Sequence, residues 1–206
     1  MKYFSSAYLA PIQYYTKLYG EAEVMLEQHD HYMKQTYRNR CIIAAPDGPL
    51  ALTIPVEKPD GGKCAMKDVR ISDHGRWRHL HWNALETSYR TSPFFDYYAD
   101  YFSPFYEKKY DFLIDFNEAL HYMVCELIDM DVRMRRSDVY GEGVVATEDF
   151  RDVISPKYRG VDSAFSPMPY YQVFREKNGF LPNLSIVDLL FNMGPESLIV
   201  LRDSRR

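Results

Sequence analysis

The sequence has little of what usually announces a function. Its three cysteines, Cys41, Cys64 and Cys125, are too few and too scattered for a disulfide framework, and no C-x-x-C pair offers a zinc half-site. No apolar run approaches the roughly 18 residues of a membrane span. Residues 1–11 hold one lysine among tyrosines and serines where a signal peptide would have an apolar core. These absences predict a cytoplasmic protein with no membrane insertion. G-x-G-x-x-G, the Walker-type G-x-x-x-x-G-K, G-x-S-x-G and H-E-x-x-H are all missing, which argues against dinucleotide binding, P-loop hydrolysis, serine-hydrolase chemistry and a zincin site. Positive charge is not in excess either: 25 Lys and Arg against 29 Asp and Glu leave a net charge of −4, so nucleic acid is not an expected partner. With no repeat, low-complexity tract or linker, the 206 residues predict one domain over 1–206, with residues 76–130 as a helical subdomain.

Aromatic rings are abundant. Eighteen Tyr, twelve Phe and two Trp imply many side chains with an apolar body and a hydroxyl that needs a partner. Pro11 opens a short helix over residues 12–19, closed by Gly20, and residues 23–28 read as a strand. Apolar runs at 41–45 and 50–56 flank Pro46-Asp47-Gly48-Pro49, a hairpin signature. Residues 58–63 read as a loop tip and 67–71 as a returning strand. Apolar spacings of three and four then predict helices over 76–91, 94–107 and 111–129, with Ser92 and Ser103 as caps before Pro93 and Pro104. Leu113, Phe116, Leu120, Val124 and Leu127 share one helical face and belong to the core. A short strand at 132–134 precedes an irregular stretch, 135–169, of a length that marks a functional or mobile loop. A strand at 170–174 and helices at 184–192 and from Pro195 complete the chain. The fold class is α/β: a single compact domain with a central mixed sheet, a β-hairpin insertion and a three-helix block.

The densest polar cluster, residues 28–40, follows a buried strand, where side chains at the carboxyl end of a sheet meet ligands. Arg38 and Arg40, two apart on an extended chain, would point to one side and clamp a phosphate or carboxylate. His31 and Lys34 are the candidate proton handlers. Gln35, Tyr37 and Asn39 join them as substrate-binding candidates, with Tyr8 and Tyr14 lining the cleft and Asn183 contributed from the far end. Asp188, amid Leu189, Leu190 and Phe191, needs a partner, for which an arginine of the 38–40 cluster is a candidate, and is a further catalytic candidate. His29-Asp30-His31 has too little around it to assign a metal. Charge is sorted along the chain: residues 63–90 carry a local excess of +3 and residues 96–131 one of −7, so a small anionic substrate would favour the earlier region. A second reading makes Phe94, Phe95, Tyr97, Tyr98, Tyr101 and Phe102 a partner-binding surface.

Four blocks carry a resemblance: Tyr8-Leu9-Ala10-Pro11-Ile12-Gln13-Tyr14-Tyr15, Gln35-Thr36-Tyr37-Arg38-Asn39-Arg40, Pro93-Phe94-Phe95, and the run from Phe180 to Asn192. In this order, over nearly the whole chain, they resemble the WbqC-like protein family. The resemblance implies a setting in bacterial surface-polysaccharide gene clusters, where activated sugars and their modifying groups are the small molecules at hand. It implies no established reaction and names no cofactor. The chain departs from the family's aromatic-Pro-x-Ile-Gly-Tyr start at Gln13, and it lacks the later Asn-Pro-x-Gly-Gly segment of longer relatives. The strand, proline-initiated helix, strand order of residues 2–28 is also similar to the opening of adenylyl-transferring α/β enzymes, with tyrosines in place of their histidines. The expected function is a transferase acting on a nucleotide-sugar or moving an acyl or aminoacyl group. The alternative is a noncatalytic binding or assembly protein. The sequence leaves homo-oligomerisation open.

Overall fold

A strand in the middle of a parallel sheet is covered on both faces and reads as an unbroken apolar run. Val24, Met25 and Leu26 are such a run. A computed structural model describes residues 1–58 and 62–206, so the expected loop tip at 58–63 lies partly outside the described residues. It places the run in β2 (Glu23–Glu27), between β1 (Tyr3–Ser5) and β5 (Arg133–Arg136), both parallel to it. Helix α1 (Ile12–Leu18) makes the crossover from β1 to β2. The predicted hairpin forms from β3 (Arg40–Ala45) and β4 (Gly48–Thr53), with Ala45 opposite Gly48 across Pro46 and Asp47. Gly48 takes a φ of +115°, which a side chain would resist. The domain is thus α/β with both kinds of strand pairing, the parallel strands in one ladder and the hairpin in another.

Between β4 and β5 lies the expected block of three helices, α2 (Trp77–Tyr89), α3 (Phe95–Glu107) and α4 (Leu113–Leu127). The apolar face of α4 packs into the core through Leu113, Phe116, Leu120 and Val124, all essentially inaccessible, with Leu127 half-buried at the end of the row. Two details differ from expectation. Pro104 lies inside α3, where its missing N–H would have faced the carbonyl of Asp100 on the exposed side, open to solvent, and the helix continues to Glu107. The Ser92 hydroxyl is buried without a partner among the described residues and caps nothing.

Neither strand expected at 67–71 nor that at 170–174 forms. Met66–Asp68 is a turn of 3-10 helix, and only single bridges, Val56 to Ile71 and Arg70 to Phe112, follow it. Tyr170 and Gln172 do alternate inward as strand residues would, but they turn toward a buried carboxylate, and no neighbouring strand offers a ladder. After them come α5 (Arg175–Asn178), α6 (Ile186–Met193) and α7 (Ser197–Asp203).

That carboxylate is Asp188, fully enclosed in the first turn of α6. It accepts hydrogen bonds from the Tyr89 hydroxyl at 2.9 Å, from Gln172 Nε2 at 2.9 Å and from the Tyr170 hydroxyl. Its partners are therefore neutral, and the arginine expected from the 38–40 cluster is not among them. Tyr89 also accepts from the Ala44 amide, so one carboxylate ties α6, α2, β3 and the 170–172 segment together. Burial pushes its pKa up to about 6, against the three hydrogen bonds that hold it down.

A raised carboxylate pKa favours the folded state while the proton is held, so this contribution is fully present below about pH 4 and is lost as pH rises through about 6. Asp188→Asn removes it. The stability deficit of the variant relative to wild type is therefore expected to be larger at pH 4.5 than at pH 7.5 in urea titrations; equal deficits at both would refute the assignment. Gly194 supplies a second test, since its φ is +54° and an added Cβ would lie 2.6 Å from the Phe94 ring. Gly194→Ala should cost about 3 kcal/mol, combining left-handed strain with overpacking.

Candidate functional site at the carboxyl edge of the sheet

Strands β1, β2 and β5 all end at one edge of the sheet, at Ser5, Glu27 and Arg136, and the loops that follow them meet there. The loop after β1 is held from two directions. Tyr8 N–H donates to Tyr37 O at 2.8 Å, and Asn117 of α4 donates through Nδ2 to Ser6 Oγ at 2.9 Å and to Arg38 O at 2.8 Å. One amide on an otherwise apolar helix face thereby fixes both the first loop and the 28–40 segment.

Arg38 is only 3 % exposed. It pairs through one terminal nitrogen with Asp30, while its Nε–H has no partner among the described residues. Ser5 Oγ and Asn117 Oδ1 are buried and unpartnered in the same way. Buried polar atoms without partners are uncommon and ask for an explanation, whether water, ion or ligand. Arg38 and Ser5 face a cavity of about 10 Å³, room for a single water, whose other walls include Tyr14, Thr36, Tyr37, Phe150 and Ile154. A second cavity of the same size lies across Ser6 and Ala7, lined by Tyr14, Asn117, Glu118 and His121 among others. Behind them Glu27, wholly buried, accepts from Ser137 Oγ, the His29 amide and the Gly141 amide, all at 2.8 Å, and meets Arg151 at 3.5 Å.

The residues singled out in the sequence divide into three groups. Tyr14, Tyr37 and Arg38 line the cavity. Asn39 and Arg40 lie beside it, Asn39 Nδ2 donating to Ile54 O and Arg40 Nε to Thr53 Oγ1. The two arginines do not form the expected pair of free guanidinium groups, because Asp30 engages one and Thr53 the other, although both act on the half-buried Tyr32 hydroxyl, lowering a pKa that burial raises. His31, Lys34 and Gln35 are exposed on the same segment, and Lys34 O accepts from Lys157 Nζ at 2.8 Å.

Tyr8, Asn183 and Asp188 are used elsewhere. The Tyr8 hydroxyl is sealed between Tyr106 at 2.8 Å and His81 Nδ1 at 3.0 Å. Asn183 Oδ1 accepts from the Gln13 amide at 2.9 Å, capping α1 from 170 residues away, in a junction where Ile12 N–H donates to Leu184 O and Ile186 N–H to Ala10 O. Asn183 therefore lies in a structural junction and Asp188 in the α6 network, with neither among the residues lining the small cavities. Gln13 has its own use: Nε2 donates to Asp162, which also pairs with Lys17.

Ser5, Ser6, Asn117, Phe150, Ile154 and Arg151 were not singled out from sequence. Asn117 left a signal, since it breaks the buried face of α4 with an amide. Other chemistry is quiet. His121 and Cys125, 3.4 Å apart, are held neutral by burial, the histidine near pH 4 and the thiol pushed up to about 12. Burial also takes the pKa of His81 down to about 4. The larger hollows, about 430 and 400 Å³, share Asp129, Met130 and Asp131 and open at the amino ends of β2 and β5, away from the orphaned atoms. No His, Cys, Asp or Glu grouping suited to a metal occurs among the described residues. No helix among them is long and apolar enough to cross a membrane. The aromatic surface expected on α3 is mostly interior: Phe95, Tyr98 and Phe102 are buried, leaving Tyr97 and Tyr101 exposed.

A parallel βαβ unit whose carboxyl edge is closed by a polar segment after the second strand defines a class of small α/β domains. Within it the chain belongs to the WbqC-like protein family, whose family model matches residues 6–154. It is also 27 % identical over 207 residues to a Mycobacterium tuberculosis protein described as "Uncharacterized protein Rv1507c", with 89 % of each chain covered. No solved structure matches the chain.

The pairing of buried Arg38 with half-buried Asp30 makes a test of its own. Asp30→Ala leaves a guanidinium without its counter-charge and should cost about 3 kcal/mol. Arg38→Met combined with Asp30→Leu should recover most of that loss, as measured by urea unfolding. A double variant no more stable than the single one would show that the pair is not the coupled unit described.

Proposed function

We propose that this chain is an enzyme of bacterial surface-polysaccharide metabolism that binds an anionic, activated donor at the carboxyl edge of its parallel sheet and transfers a sugar-linked, acyl or aminoacyl group from it. The observation that carries this reading is that Arg38, whose charged Nε–H has no partner among the described residues, and Ser5, whose buried hydroxyl has none either, line the same small cavity. An oxygen of a phosphate or carboxylate would satisfy both, and a charge-assisted bond from guanidinium is among the stronger ones available. Family membership supports the setting in which such donors occur.

The rest of the segment fits the same chemistry. Lys34 and His31 stand exposed near the site on the chain that carries Arg38, where a mobile amine or imidazole can exchange protons with a bound group. Tyr14 and Tyr37 supply ring surface, and burial raises the pKa of both, so they act there as neutral hydrogen-bonding phenols. Arg40 is a less demanding contact, reachable once its single bond to Thr53 is exchanged. The noncatalytic alternative has only Tyr97 and Tyr101 left on α3 with which to hold a partner.

Thermal denaturation across a panel of nucleotide-sugars, nucleoside diphosphates and acyl donors tests the proposal. At least one compound should raise the melting temperature of the wild type by several degrees, and Arg38→Gln should abolish that shift while Arg40→Gln reduces it. A panel without any shift, or a shift that survives Arg38→Gln, would overturn it.

A further inference from the structure

The cavity beside Arg38 has room for no more than about one water, so any larger guest enters only if a wall moves. The walls are unequal. Ser5 belongs to the parallel ladder, while Ser6 and the backbone of Arg38 are both pinned by Asn117. Thr36 Oγ1 holds its own loop through Met33 O at 2.7 Å, and Tyr37 O accepts from Tyr8. Ala7 follows Ser6 and Tyr14 sits on α1, whereas Phe150 and Ile154 come from an irregular stretch with no strand or α-helix of its own, joined to β1 by a single bridge of Asp149 to Tyr3.

That stretch is fastened lightly. From residues 149–157, the hydrogen bonds among the described residues that reach beyond the adjoining Tyr158 are Phe150 N–H to Tyr3 O at 2.9 Å, Arg151 to Glu27 at 3.5 Å and Lys157 Nζ to Lys34 O at 2.8 Å. Its strongest polar contact is internal: Arg151 grips Asp149 through Nε and a terminal nitrogen at 2.9 and 2.7 Å. An internal pair travels with the segment and does not resist its lifting. The apolar hold is two side chains, Phe150 stacked on Phe4 at 5.4 Å and Ile154 over the cavity. Segments with few buried contacts and few outward hydrogen bonds open locally long before a domain unfolds.

We infer that residues 149–157 form a cover that lifts from Arg38 to admit an oxyanion and closes over it, with Arg151 brought back beside the guest as a second guanidinium. Only the nature of the guest rests on the function proposed for Arg38; the opening follows from the unequal walls. Arg151 is suited to the part. It is 12 % exposed at its side chain, lies 5.2 Å from the Tyr3 ring and 5.4 Å from that of Tyr140, and its far contact to Glu27 is the weakest of its bonds.

Chemical access to Arg38 measures the opening without any ligand. Phenylglyoxal modification of Arg38 in the intact protein, followed by peptide mass spectrometry, should run faster than global unfolding measured in parallel allows. Phe150→Ala and Lys157→Ala should each raise the rate about tenfold beyond any change in global stability. Labelling that occurs only through global unfolding, with variants changing it only in proportion to their stability, would overturn the cover. Inorganic phosphate is the probe for the guest: it should slow Arg38 labelling severalfold, and less so in Arg151→Gln. Open access without phosphate protection would leave the cover standing and remove the oxyanion site.

Discussion

Two helices begin by completing each other. The first N–H groups of a helix have no partner within it, and α1 starts at a proline with no side-chain cap. Its need is met by residues 183 and 184, while the start of α6 is met by Ala10 O and by the Ser185 hydroxyl, which also donates to Leu9 O at 2.7 Å. Pro11 and Ser185 pair as a short antiparallel bridge. Leu9 and Asn183 both adopt left-handed backbone, with φ of +40° and +56°, and the reciprocal bonds hold them there. The loop after β1, which carries Ser6 and leads to the candidate site, is positioned by this exchange.

The junction also clarifies the extent of the functional unit. The family model stops at residue 154, yet the segment from 180 to 192 caps α1, encloses Asp188 and packs Phe191 against Tyr89, Phe95 and Phe102. The C-terminal part is therefore built into the same core as the first strand, consistent with the 89 % coverage shared with the mycobacterial relative.

Much of the fold could be read from local pattern. β2 announced itself by three consecutive apolar residues, the hairpin by its Pro-Asp-Gly turn, and α4 by a stripe at helical spacing. Strands at 67–71 and 170–174 do not form, because a short stretch read by itself does not say whether a neighbour exists to pair with. The site was legible in one segment only. Arg38 and Tyr37 stood out through composition, but their surroundings are assembled from Ser5, Asn117 and Phe150, three residues far from them and from one another in sequence. Asp188 illustrates the limit best. Its apolar company correctly signalled a buried carboxylate, yet nothing local could tell that two phenols and an amide, not a guanidinium, would meet it.

The exchange between α1 and α6 has an outcome for how the chain is made. Residues 1–27 leave the ribosome before the rest of this domain and carry a complete strand–helix–strand unit, but the atoms that finish its helix come from residues 183 and 184. Pairings between distant parts of a chain form slowly, because the loop between them must close first. This unit must thus wait for a segment made long after it, and until residue 186 emerges its tyrosine-rich surfaces are kept from their final seats.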